Sequence, residues 1–160
     1  MAHRLVEYLY AAGYSPILLD GDTVRDLLPD PLGYDEESRF QMACFNSRLC
    51  RLLALQGCSV ICPTISMFQA VQRWNRKNIP GYIEIFLDAP LEVLRERDPK
   101  GIYAGFDRQE FINVVGLDIV AEPPENPDLK INISAYAGVD TTWLKIAQFL
   151  DSHFEKRDQL

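Results

Sequence analysis

The chain has 160 residues, 48% of them apolar and 24% charged, and a formal net charge of −7. That balance fits one globular domain with a sizeable core, and the negative sign argues against nucleic acid or an anionic membrane as the main partner. No apolar run approaches the ~20 residues of a membrane span. Arg4 and Glu7 interrupt any signal-peptide core, so a cytoplasmic protein is expected.

In chain order, Leu5, Leu9 and Ala12 fall at helical spacing between Ala2 and Ala12, and Gly13 stops that helix. Ser15-Pro16 leads into a strand from Ile17 to Leu19, and a short helix is predicted from Thr23 to Leu28. Gly33-Tyr34-Asp35-Glu36-Glu37 reads as a turn whose acidic residues favour the start of a helix that runs to Gln56, with Gly57 as its cap. Val60-Ile61-Cys62 is a short strand ended by Pro63, and Ser66 to Asn78 is helical. A strand from Ile83 to Leu87 ends in Asp88, Ala89-Pro90 opens a helix through Arg97, and Asp107 to Ile112 reads as one more short helix. The segment from Gly116 to Pro127 reads as loop, Leu129 to Ile133 as a last strand and Val139 to Phe154 as a last helix. Strands alternating with helices imply a parallel α/β sheet, in which ligands sit at the carboxyl ends of the strands.

Several strand ends carry groups suited to chemistry. Asp20-Gly21-Asp22 closes the first apolar run. Such a pair can hold Mg2+ through water or deprotonate a hydroxyl, and equally it can be a strand end followed by a helix cap, a role that suits Asp22. Arg25 and Arg39 offer forked donors that match phosphate or sulfate, or they lie on solvated helix faces. Tyr34 can stack on a base or stand as an ordinary loop tyrosine. The stretch from Arg95 to Gly101 is either a cationic lid over transferring phosphates or a charged helix end. Cys44, Cys50, Cys58 and Cys62 form no C-x-x-C pair, and with only two histidines present a zinc site is not indicated. Reduced thiols are expected.

Taken together, these segments resemble the adenylyl-sulfate kinase (APS kinase) family of the P-loop kinase superfamily. The resemblance is carried by Leu19-Asp20-Gly21-Asp22-x-Val24-Arg25, Leu32-Gly33-Tyr34 with Arg39, and Ile65-Ser66-x-Phe68. It continues through Glu84 to Val93, Arg97-Asp98-Pro99-Lys100-Gly101-Ile102-Tyr103, and Ala121 to Leu129. It implies MgATP-dependent phosphorylation of the ribose 3′-hydroxyl of adenosine 5′-phosphosulfate. On that resemblance Asp22 is the catalytic carboxylate and the indirect Mg2+ ligand, assisted by Arg97 and Lys100. Asp20, Arg25, Tyr34, Arg39, Ile65, Ser66, Gly101 and Tyr103 bind substrate. A small nucleotide is the expected partner, with a possible homodimer.

Two departures qualify the resemblance. No G-x-x-x-x-G-K-[ST] occurs in the 160 residues, so the expected fold is a single three-layer domain of P-loop kinase type, spanning residues 1–160, that lacks the first, central strand and the phosphate loop. Met1 is expected to be an internal codon of a longer frame. In the acceptor site, Arg39-Phe40-Gln41-Met42 stands where the family has Arg-x-x-Asn, and Asn113-Val114-Val115-Gly116 where it has Asn-Phe-Thr-Gly. Losing an aromatic face weakens stacking by ~1–3 kcal/mol. A cytidine diphosphoramidate acceptor, as in a branch of the family tied to surface polysaccharides, is the first alternative. A non-catalytic nucleotide-binding module or an inactive fragment is the second.

Overall fold

The structure is a computed structural model that describes residues 1–134 and 138–157. Its elements follow in the order α1 (Ala2–Ala11), β1 (Ile17–Leu18), α2 (Gly21–Asp26), α3 (Glu36–Leu55), β2 (Val60–Ile61) and α4 (Gln69–Asn78). They continue with β3 (Ile85–Asp88), α5 (Leu91–Arg97), α6 (Ile102–Asp107), β4 (Leu129–Asn132) and α7 (Val139–Arg157). None of the described helices is long and apolar enough to cross a membrane.

All strand pairing is parallel, as the alternation of elements requires. β1 pairs with β2 and β3 with β4, in two separate sheets. Ile17 and Leu19 donate their N–H groups to the carbonyls of Ser59 and Ile61, and Leu129 and Ile133 donate to Glu84 and Asp88. Backbone groups alternate direction along a strand. The opposite edges, at Val60 and Cys62 on one side and at Ile85 and Leu87 on the other, therefore turn towards each other. Between them lies a cleft of about 1830 Å3. The described chain places no strand in it, in keeping with the expected absence of a central strand.

Two devices span the cleft. Helix α1 packs on β1 and β2 with part of its surface, while its Leu5 and Tyr8 pack on the core cluster of Val93, Ile131, Ile133, Ile146 and Leu150 formed by α5, β4 and α7. The Arg76 guanidinium on α4 reaches Asp128 at 2.6 Å, Glu84 at 3.4 Å and the Asn126 carbonyl at 3.0 Å. One cation thus ties the helix beside β2 to the entry of both β3 and β4.

Local chemistry sets the helix ends. Asp35 caps α3 by accepting from the Ser38 N–H at 2.9 Å, and Glu36 and Glu37 favour its first turn. Helix α4 starts at Gln69, not Ser66, because the Glu122 carboxylate accepts the Gln69 N–H at 2.8 Å and Phe68 before it is extended. The helix predicted at Asp107 to Ile112 is instead α6, five residues earlier. Gly101, at φ 67°, and the Asp98 carboxylate, which accepts the Ala104 N–H at 3.0 Å, start it. Arg108 and Gln109, the latter at φ 61°, end it. α6 then rests on Phe111: a Cβ added at Gly105 would lie 2.2 Å from that ring.

Two outcomes test this picture. Ile131 is 3% exposed in the core cluster, so Ile131→Ala should cost about 2–5 kcal/mol in urea unfolding, whereas Leu144→Ala, on an exposed face, should stay within about 0.5 kcal/mol. The hydrogen bond from Ala104 holds the Asp98 carboxyl below its ordinary value. Its contribution is therefore complete above pH ~4 and is lost as pH falls through the lower folded value. Protection of the amides in 102–105, relative to their intrinsic exchange rates, should fall in acid, and Asp98→Ala should show that lower protection already at neutral pH.

Candidate active site

The parallel strands aim their carboxyl ends at one rim, and most of the expected site residues meet there. Asp22, Tyr34, Arg39, Ile65, Ser66, Lys100 and Tyr103 all line the cleft. Asp20 and Asp22 divide the work that the sequence left open. Asp20, not Asp22, is the cap of α2: its carboxylate accepts the N–H groups of Asp22 at 3.1 Å and Thr23 at 3.2 Å. Asp22 is left with its side chain 74% exposed, and its Oδ2 lies 3.3 Å from Lys100 Nζ. Lys100 and the carboxylate of Asp22, 78 residues apart, are therefore paired across the rim.

Arg25 and Arg39 both approach Tyr34. The Arg25 guanidinium lies 4.7 Å from the ring centroid and that of Arg39 5.5 Å. Both are tied to backbone carbonyls. Arg25 donates to Leu32 at 3.0 Å and Gly33 at 2.8 Å, and Arg39 to Tyr34 at 2.6 Å and Asn113 at 2.9 Å. Burial, and then the nearby Arg25 charge, pull the Arg39 pKa below its ordinary value. Two like charges held this close favour any anion placed between them.

The remaining residues are placed as follows. Ile65 is 70% exposed at the mouth of the cleft. The Ser66 Oγ is buried with no hydrogen-bond partner among the described residues. Arg97 donates to the Ser134 carbonyl at 3.1 Å, just past β4. Gly101 opens α6, and Tyr103 sits under the Arg95 guanidinium at 5.9 Å. The thiols of Cys50 and Cys62 also face the cleft, and all four cysteines are free.

Sequence reasoning missed four contributors. Asn113, at φ 64°, offers the carbonyl that orients Arg39. Asp118 holds the Asn113 N–H in place at 2.7 Å. Asn46 and Gln72 are buried polar side chains on the cleft-facing sides of α3 and α4. The signal for Asn46 was present: it stands seven residues after Arg39, on the same helical stripe as Ala43 and Cys50.

Among the described residues no group of three or more His, Cys, Asp or Glu gathers as a metal site. Asp22 alone fits Mg2+, which keeps most of its waters and takes one or two carboxylates beside substrate phosphates. The backbone cradle that a phosphate loop provides is not formed by this sequence.

Comparison with known proteins agrees with this geometry. Residues 1–132 match the family described as Adenylylsulphate kinase. A probable adenylyl-sulfate kinase of Pyrococcus abyssi is 37% identical over 84% of this chain and 77% of its own length. A cytidine diphosphoramidate kinase of Campylobacter jejuni is 41% identical over 74% of this chain and 68% of its own. The solved structure of the Mycobacterium tuberculosis APS kinase CysC, in complex with AMPPNP and APS, superposes with a TM-score of 0.81 at 30% identity, spanning 94% of this chain and 88% of that one. With the parallel α/β frame and the rim residues in place, the chain belongs to the adenylylsulphate kinase family, a family of P-loop-type nucleotide kinases.

Proposed function

We propose that the chain phosphorylates the ribose 3′-hydroxyl of adenosine 5′-phosphosulfate, or of a nucleotide of the same build, with MgATP as donor. The observation that carries this reading is the Asp22–Lys100 pair at the rim of the cleft that Tyr34 and Arg39 also line. A hydroxyl kinase needs a carboxylate beside the acceptor and a cation for the charge that spreads over the transferring group. MgATP, when bound, supplies the electrophilic phosphoryl group.

The chain's own residues do the rest. Tyr34 gives the acceptor base a face, and the two guanidiniums beside it balance the acceptor's anionic tail. Lys100 occupies Asp22 Oδ2, so Oδ1 remains to accept the proton of the hydroxyl. Lys100 is 72% exposed and its ion pair is weak, so its ammonium can turn to phosphate oxygens at little cost. Helix α6, hinged at Gly101, then excludes water from the rim. Arg97 and Tyr103 belong to the same lid in this reading.

A second acceptor, cytidine diphosphoramidate, is favoured by one observation. The segment Asn113-Val114-Val115-Gly116, which lines the same cleft as Tyr34, carries no aromatic ring of its own with which to clamp a purine.

In a coupled kinase assay, Asp22→Asn should lower kcat at least about 100-fold, the range of a lost general base, with the unfolding midpoint unchanged. Undiminished turnover would remove Asp22 from the chemistry. Arg39→Lys loses the fork that grips both a carbonyl and an anion. It should raise the KM for the acceptor about tenfold or more and leave the KM for ATP unchanged.

A further inference from the structure

Asn46 is 5% exposed and Gln72 9%, yet neither Asn46 Oδ1 nor Gln72 Oε1 has a hydrogen-bond partner among the described residues. Both side chains line the cleft. The Gln72 amide has a defined orientation. Its Nε2 donates to the Ser66 carbonyl at 3.2 Å and lies 3.5 Å from that of Glu122. Two carbonyls require the nitrogen on that side, so Oε1 is the atom left over. The Ser66 Oγ beside it is also unpartnered.

Asn46 lies seven residues from Arg39 on one face of α3, about 10 Å deeper along the axis. A nucleotide stacked on Tyr34, with its tail directed past Arg39, brings its terminal group towards this floor. Gln72 Oε1 is a buried acceptor that lacks a donor, and the Asn46 amide presents a second unpartnered oxygen. Sulfate presents only acceptor oxygens and cannot satisfy Gln72 Oε1. A terminal group that carries N–H can.

We propose that Asn46 and Gln72 select the acceptor by its terminal group, accepting hydrogen bonds from an N–H such as a phosphoramidate carries in place of a sulfate oxygen. The inference rests on the nucleotide-kinase reading above and decides between its two acceptors by their tails rather than their bases. Gln72 is the acceptor whose direction the fold fixes, and Asn46 lines the same cleft from the neighbouring helix.

The test is calorimetric binding of two probes to the full 160-residue chain: adenosine 5′-phosphosulfate and adenosine 5′-diphosphoramidate. They share base, ribose and charge, and differ in whether the terminal group carries an amine. The phosphoramidate should bind at least about tenfold tighter, the factor that a hydrogen bond to a buried, otherwise unpartnered acceptor carries. Asn46→Leu should reduce that ratio. Asn46→Asp retains an acceptor; it should weaken both ligands through its charge and keep the ratio, so the inference stays testable if the leucine variant fails to fold. Equal affinities, or a preference for the sulfate, would overturn the inference while leaving the kinase reading intact. Binding of neither probe would overturn both.

Discussion

The structure depends on one constraint: two parallel strand pairs must be held at a fixed separation without hydrogen bonds between their facing edges. Backbone donors and acceptors at Val60, Cys62, Ile85 and Leu87 border an open cleft, and Leu87 remains 39% exposed, whereas parallel strands are normally covered on both faces. What keeps the halves in register is α1, which touches both, and the Arg76 node that joins α4 to the starts of β3 and β4. The core cluster lies on the β3–β4 side under α7. The weight of the apolar packing is therefore on one side of the cleft, and the β1–β2 side is attached to it by a helix and by ion pairs.

The same separation creates the site. Because the strands are parallel, Asp22, the 63–66 segment and the turn after α5 arrive at one rim from three different places in the chain. The cleft below that rim is mostly apolar and carries buried polar side chains on α3 and α4. Such a cavity positions a ligand through those few groups. Positive charge at its mouth comes from two arginines locked by carbonyls, so their forks are already oriented when an anion arrives. That preorganisation reduces the side-chain ordering that binding otherwise costs. Net acidity of the whole chain does not oppose this, because the field at the mouth is set by Arg25, Arg39 and Lys100.

Much of the site was legible because its residues sit at punctuation marks. Asp20, Asp22, Arg25, Tyr34, Lys100 and Gly101 all fall at a strand end, a helix end or a turn, where composition changes abruptly. The sharing of roles within Asp-Gly-Asp was not legible: either carboxylate can cap a helix, and only the backbone path shows that Asp20 does so. Helix α6 was misplaced because its start depends on Asp98 reaching forward to Ala104, a side-chain contact that periodicity does not encode. Gln72 was passed over because an amide within a polar helix gives no sign of being buried.

Sequence alone determined the alternation of strand and helix, the parallel sense that follows from it, and the residues at each strand end. Apolar runs of period two and 3.6, punctuated by glycine and proline, are local properties of the chain. Tertiary structure decided which of those ends meet, how far apart the two strand pairs stand, and which polar atoms are left without partners in the cleft. Those outcomes depend on packing between segments 50 to 80 residues apart, and no local pattern records it.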